Sequence, residues 1–240
     1  MKKIKIPKEI ERKIRGFKEF EASRIIGYLV GDKKKILNIG CFWGRDYYYL
    51  SSKGKEVINI DLENQNLPNM TIHDITKGEM PFDDKTFDVI LIPEVLEHIF
   101  EDFLTLKKLK RILKDDGKII ITVPFYSDGG DYHVRIYSPD TIKKLVNHSG
   151  FRIEEYIERG GLITFSKLVA IFSILFTKIN KSFMENVLEN LSLIDFNLGK
   201  GGNFLFGFSG SYGAYIKISK TNLEKNISEI NKKEFCRQIK

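Results

Sequence analysis

Apolar residues recur at helical spacing between Ile10 and Leu29 (Ile10, Ile14, Phe17, Ile25, Tyr28, Leu29), which predicts one or two amphipathic helices. Gly31-Asp32 breaks that period. Beyond it, short apolar runs alternate with helical stretches: KILNIG (35–40), EVINID (56–61), MTIHD (70–74), FDVILI (87–92) and GKIIITVP (117–124). These runs are too short for core helices and rich in Ile and Val, as strands buried on both faces are. Turn signals separate them at Gly54, Asp83-Asp84 and Asp115-Asp116-Gly117. A long helix is expected from Glu94 to Leu113. Another begins at Ser138-Pro139-Asp140, an N-cap followed by proline at the first helical position, and stops at Gly150. FRIEEYIE (151–158) and SYGAYIKIS (211–219) alternate as half-exposed strands do.

Strands alternating with helices predict an α/β fold built on a doubly wound, seven-stranded, mostly parallel sheet. Residues 161–210 fit this pattern poorly. LITFSKLVAIFSILF (162–176) is apolar but interrupted by Thr164, Ser166, Lys167 and Ser173, and is shorter than the roughly 20 residues of a spanning helix. It is expected to be a lid-like insertion packed over the sheet, with no transmembrane segment in the chain. The expected organisation is a single domain over 1–240. It has an N-terminal helical region (1–31), a core (32–160 and 211–220), the insertion (161–210) and a basic C-terminal tail (221–240).

Composition narrows the class. Hydrophobic residues at 42% and charged residues at 30% are those of a soluble globular protein. Cys41 and Cys236 are too few for a disulfide framework, and the charged N-terminus lacks an apolar leader, so a cytoplasmic location is expected. The net charge of +7 is peripheral: residues 1–20 contribute +5, whereas residues 21–160 sum to −3. Nucleic-acid binding needs a basic stripe beside the chemistry, so this distribution disfavours it.

In open α/β sheets, ligands bind beyond the carboxyl ends of the strands, where strand order reverses. The first strand runs into Gly40 and Gly44 in ILNIGCFWG (36–44), glycines that let the backbone turn tightly against a ligand. The second strand ends in Asp61, placed 21 residues after Gly40 to accept ribose hydroxyls. The third ends in His73-Asp74, and the fourth runs into Pro93-Glu94. A nicotinamide-binding G-x-G-x-x-G loop fails here, because Phe42 occupies the position of the second glycine.

The series resembles class I S-adenosylmethionine (SAM)-dependent methyltransferases, closest to those acting on small molecules, cofactors and saccharides, over about residues 35–160. The resemblance implies a Rossmann-like methyltransferase fold whose antiparallel last strand is 211–219. It implies a SAM site drawn from Asn38, Gly40, Cys41, Gly44, Asp61, Leu62, Asp74, Ile75 and Pro93, with Asp61 on the ribose and Asp74 on the adenine amino group. FDVILIPEVLEHI (87–99), LKRILKDDGKIIITVPF (109–125) and HVRIYSPDTIKKLVNHSGF (133–151) match later segments of the family. Two positions depart from it: Asn38 stands where the family has an acid, and Phe42 where it has a glycine.

Ile92-Pro93-Glu94-Val95 lacks the Asn/Asp-Pro-Pro-aromatic clamp of enzymes that methylate base amines, which points instead to an oxygen acceptor. Such an acceptor needs a proton acceptor nearby. Candidates are His98, His133, Glu97, Asp131 and Tyr132, with His98 and His133 first. Glu94, Glu97 and His98 at i, i+3, i+4 would share one helical face. This resembles the divalent-metal sites of ubiquinone-pathway O-methyltransferases and small-RNA 2′-O-methyltransferases, with His133 as a further ligand. The expected activity is SAM-dependent methyl transfer to a small-molecule, saccharide or isoprenoid-type acceptor. Two other readings fit the same residues: a SAM-binding protein without turnover, and a peripheral membrane enzyme acting on a lipid.

Overall fold

The computed structural model describes residues 6–14, 17–126, 132–159 and 213–221. Two helices, α1 (Lys8–Ile14) and α2 (Phe17–Val30), lead into strand β1 (Lys35–Ile39). Then follow α3 (Arg45–Ser52), β2 (Glu56–Asp61), β3 (Met70–Ile72) and β4 (Phe87–Pro93). After β4 come a 3-10 turn (Leu96–His98), α4 (Asp102–Ile112), β5 (Leu113–Pro124), α5 (Pro139–His148), β6 (Phe151–Arg159) and β7 (Gly213–Lys220).

These strands form one seven-stranded sheet in the order β3-β2-β1-β4-β5-β7-β6. β1 pairs in parallel with β2 and β4, β2 with β3, and β4 with β5, while β7 runs antiparallel to both of its neighbours, β5 and β6. The doubly wound sheet and the reversed last strand expected from the sequence are both present. Strand order reverses between β1 and β4, which opens a crevice at their carboxyl ends.

Side chains alternate across a strand, and here the alternation divides the apolar residues between two cores. Ile36, Val57, Val89, Leu91 and Ile120 pack on one face against Ile25, Ile26 and Leu29 of α2 and Tyr47 and Leu50 of α3. Leu37, Ile39, Ile60, Ile90, Ile119 and Ile121 pack on the other, against Leu106 and Leu109 of α4 and Ile142 and Val146 of α5. This two-sided burial is why the runs read as continuous apolar stretches. Helix α5 starts as expected: the Ser138 side chain accepts from the Thr141 N–H at 3.2 Å, and Pro139 follows it.

Three expectations need correction. The helix expected from Glu94 to Leu113 is instead a single 3-10 turn followed by the 11-residue α4. Strand β5 begins at Leu113 rather than Gly117, and its register against β4 jumps between the pairs Phe87↔Leu113 and Val89↔Lys118. Strand β3 stops at Ile72, leaving His73 and Asp74 in the loop. The insertion at 161–210, the tail at 222–240 and Asp131 lie outside the described residues. Among those described, no helix is long and apolar enough to cross a membrane.

Candidate active site

A cavity of about 620 Å³ opens at the carboxyl ends of β1, β2, β3 and β4, within the range of small-molecule and cofactor sites. Of the residues singled out in the sequence, Gly40, Cys41, Asp61, Leu62, Asp74, Ile75, Pro93, Glu94 and His98 line it. Ile39, Phe42, Trp43, Arg45, Asp46, Ile60, His73, Val95 and Ile99 line it as well.

Each wall has a local cause. Gly40 adopts φ +69°, and its N–H extends the sheet by donating to the Ile60 carbonyl at 2.9 Å. A Cβ on Gly40 would lie 2.3 Å from Val95 Cγ2, so the loops after β1 and β4 touch where strand order reverses. Phe42 takes φ +42°, a conformation that glycine enters without strain, and the residue is 70% exposed at the rim. The turn is therefore retained without the glycine. Gly44 does not line the cavity. It caps α3 at φ +85°, and a Cβ there would meet Leu67 Cδ2 at 2.6 Å. Asn38 does not line it either: it is buried within β1, with Nδ2 donating to Asn59 Oδ1 at 3.1 Å.

The acids are tied down by the backbone. Asp61 accepts from the Leu62 N–H (2.8 Å), the Phe42 N–H (3.2 Å) and the Cys41 thiol (3.6 Å). Burial, with the Asp61 charge beside it, pushes the Cys41 thiol from 9.0 up to about 12. Asp74 accepts from the Thr76 hydroxyl at 2.7 Å and the Thr76 N–H at 3.0 Å, and pairs with Lys77 at 3.1 Å. The Thr76 hydroxyl is the chief cause of its fall from 3.8 to about 2. This lowered value adds stability above pH 3.8 that is lost as the pH falls toward 2. His73 lies beside these acids, and its Nε2 is buried without a hydrogen-bond partner among the described residues. Such an atom is costly unless water or a ligand supplies a partner.

The far wall is formed by the loop after β4. Glu94 stands at φ +52°, with its N–H donating to the Thr122 carbonyl at 3.0 Å. The Thr122 hydroxyl donates to Glu94 Oε1 at 2.8 Å. Glu94, Glu97 and His98 therefore do not share a helical face, and the carboxylate of Glu94 turns toward β5. His133 takes the place expected of Glu94: one ligand atom from each of Glu97, His98 and His133 lies within 4.8 Å of the others. His98 Nδ1 stands 2.8 Å from the Tyr132 carbonyl oxygen. Only a donor satisfies that contact, so Nδ1 carries the proton and the lone pair is on Nε2. The His98 and His133 rings meet edge to face with centroids 4.9 Å apart.

The loop after β5 is stitched to this wall. The Glu97 carbonyl accepts from the Val134 and Arg135 N–H groups at 2.9 and 3.1 Å. The Tyr137 hydroxyl donates to Asp102 Oδ2 at 2.8 Å, and burial, with Asp102 beside it, raises the Tyr137 phenol. Sequence reading missed these clamps because they join residues 35 or more positions apart. Arg45 and Asp46, also missed, form an ion pair at 2.9 Å in the first turn of α3.

Two predictions follow from the first wall. Gly40→Ala combines a left-handed backbone penalty of about 1–2 kcal/mol with overpacking of about 1–3 kcal/mol. In urea unfolding, Val95→Ala added to Gly40→Ala restores the overpacking part. If the double variant is as unstable as the sum of the singles, the contact is not the cause. In a Cys236→Ser background, Cys41 should react with iodoacetamide at pH 8 at least about a hundredfold more slowly than in the unfolded chain. Because its folded value lies above its unfolded one, Cys41 supports folding fully below pH 9, and that support is lost as the pH rises toward 12. Equal labelling rates would place the thiol in solvent.

Comparison with known proteins agrees with this architecture. A family model described as "Methyltransferase domain" matches residues 37–121. A protein of Mycobacterium tuberculosis named "Probable S-adenosylmethionine-dependent methyltransferase" is 22% identical over 133 residues, covering 49% of this chain and 48% of that protein. A ubiquinone biosynthesis O-methyltransferase of Glaesserella parasuis is 25% identical over 146 residues, covering 54% and 61%. The chain thus spans about half to three fifths of the length of these curated relatives. Among solved structures, a SAM-dependent methyltransferase from Archaeoglobus fulgidus shares the fold with a TM-score of 0.56 at 21% identity, covering 88% of this chain and 97% of that one. Residues 37–121 thus match a methyltransferase domain, and the strand order of the sheet agrees with that match.

Proposed function

We propose that the chain transfers a methyl group from SAM to an oxygen of a small-molecule, saccharide or isoprenoid-type acceptor. The observation that carries this reading is His98, which lines the cavity at the end of β4 with its Nδ1 proton committed to the Tyr132 carbonyl. The relative named as an O-methyltransferase supports an oxygen acceptor.

SAM supplies an electrophilic methyl group on a sulfonium. Asp61 keeps acceptor capacity for the ribose hydroxyls beyond its two backbone donors, since a carboxylate has about four lone-pair sites. Asp74 and Ile75 hold the adenine end. Methyl transfer is an in-line displacement, so fixing donor and acceptor face to face supplies much of the rate. As the new carbon–oxygen bond forms, His98 Nε2 takes the acceptor's hydroxyl proton, and the Tyr132 carbonyl steadies the resulting imidazolium. The donor leaves as the neutral thioether S-adenosylhomocysteine.

The test uses methyl-labelled SAM with small-molecule extracts. Transfer of label and release of S-adenosylhomocysteine are expected. Asp61→Ala should weaken S-adenosylhomocysteine binding about ten- to a hundredfold. His98→Gln should leave that affinity intact and lower kcat by about a hundredfold or more. Unchanged turnover would strip His98 of the role. Tight donor binding with no turnover on any extract would make the chain a SAM-binding protein instead.

The cluster of Glu97, His98 and His133 favours a second reading, in which the same residues hold a divalent cation. One carboxylate oxygen and two imidazole nitrogens suit manganese, zinc or iron. A ring whose other nitrogen donates to a backbone carbonyl is how ligating histidines are commonly oriented. A cation there supplies Lewis acidity toward the acceptor oxygen. Turnover should then vanish after dialysis against chelator and return with a divalent ion, with Glu97→Gln raising the requirement. Full turnover in excess chelator would leave His98 as a simple base.

A further inference from the structure

We propose that the loops after β4 and β5, with the first two turns of α4 and α5, form a docking surface for an anionic lipid bilayer at the mouth of the cavity. Lipid contact of this kind goes beyond the methyl-transfer reading and is measurable without turnover. Among the described residues, every exposed large apolar side chain except Tyr28 sits at the carboxyl edge of the sheet, where strands end or in the loops and helix start that follow them. Apolar residues exposed singly need no explanation, but a cluster on one edge marks a contact surface.

The cluster is densest beside His98. Phe100, Phe103 and Leu104 follow that residue on the chain, and Tyr132 and Ile136 stand on the loop stitched to it. Phe100, Tyr132 and Ile136 are 66%, 79% and 60% exposed. Their backbones are nevertheless held. The Arg135 guanidinium donates to the Phe100 carbonyl at 2.7 Å, the Val134 and Arg135 N–H groups donate to the Glu97 carbonyl, and the Tyr137 hydroxyl donates to Asp102. Apolar side chains carried on a fixed backbone have less freedom to lose on docking. The surface also borders the cavity, since Ile99 lines it and the Tyr132 carbonyl meets His98. A bilayer seated here places a lipid-borne hydroxyl at the cavity mouth.

Charge selects the partner. Helices α4 and α5 pack side by side, and both run from this edge toward the opposite one. Lys107 in the second turn of α4, and Lys143 and Lys144 in the second turn of α5, are exposed one turn, about 5 Å, behind the apolar tip. The Lys107 ammonium lies 5.3 Å from the centre of the Phe103 ring, which joins the two zones. Over residues 100–108 and 132–144 the exposed cations are these three lysines and Arg135, against the exposed acids Glu101 and Asp140. Asp102 is buried and bound by Tyr137 and Arg135. Apolar tips with lysines one turn behind match the depth profile of a bilayer surface. The tips enter the acyl boundary while the ammonium groups stay level with anionic headgroups. A protein partner has no need of that layering.

Vesicle flotation of the full chain, titrated with lipid, tests the assignment. One set of vesicles is phosphatidylcholine alone and the other equal parts phosphatidylcholine and phosphatidylserine. Wild-type protein should bind the mixed vesicles about tenfold or more tighter than the neutral ones. Phe100→Ser with Leu104→Ser should weaken that binding about tenfold or more. Lys107→Gln with Lys144→Gln should weaken it about ten- to thirtyfold. Tyr28→Ser, on the opposite edge, should change nothing. All five positions are exposed, and thermal unfolding midpoints equal to wild type show that the fold is kept. If the serine pair fails that check, the lysine pair and the two vesicle sets carry the test. Absence of wild-type binding to mixed vesicles overturns the proposal and leaves the face to a protein partner. Binding that survives both paired variants overturns it by placing lipid contact elsewhere on the chain. Loss in the lysine pair alone overturns it by reducing the contact to adsorption of a basic surface, and loss in the serine pair alone by removing the anionic headgroup.

Discussion

Gly40 and Val95 approach so closely that only a hydrogen fits between the backbone of one loop and the side chain of the other. Two strands diverge at that point, and their loops would otherwise separate into an open groove. The contact sets how far the floor of the cavity rises between β1 and β4, and the other walls are built outward from it. On one side the turn carries Phe42 and Cys41 onto Asp61. On the other, the chain passes Val95 into a single 3-10 turn and delivers His98. The site thus has a closely packed centre, with polar groups attached to it both by backbone hydrogen bonds and by side-chain pairs such as Thr122 with Glu94.

The sheet was legible because strands buried on both faces have almost no freedom in composition. Ile36 and Leu37, or Ile120 and Ile121, must both be apolar although they enter different cores. One rim of the cavity was legible for a related reason: Gly40 and Asp61 stand where β1 and β2 end, and Asp74 two residues beyond β3. The loop after β4 was not. Glu-Val-Leu-Glu-His reads as the opening of a helix, and its local propensities favour one. Tertiary contacts override them, since the Glu94 N–H is taken by Thr122 and its backbone is left-handed. A partner 28 positions away in sequence leaves no trace in a local pattern. The same holds for His133, which the bonds of the Val134 and Arg135 N–H groups to the Glu97 carbonyl bring beside His98.

His98 illustrates how one backbone contact restricts chemistry. The Tyr132 carbonyl decides which ring nitrogen bears the proton, and that decision serves a base and a metal ligand equally well. The two roles compete for the same lone pair, so one molecule cannot hold both at once. Glu97 bears on the choice. Its carbonyl anchors the loop that carries His133, while its carboxylate is buried beside the two imidazoles.

The reversed strand has a topological effect on how the protein can diversify. β6 ends at Arg159 and β7 begins at Gly213, and the two residues face each other across the ladder, next to Pro124 at the end of β5. The chain therefore leaves the sheet and re-enters it at one spot, on the same edge as the site. Closing a loop costs little more as it grows, about 0.6 kcal/mol for each doubling of length. Because the ends of β6 and β7 meet at one spot, the register of every strand, and the cavity at the opposite end of that edge, do not depend on how many residues join them.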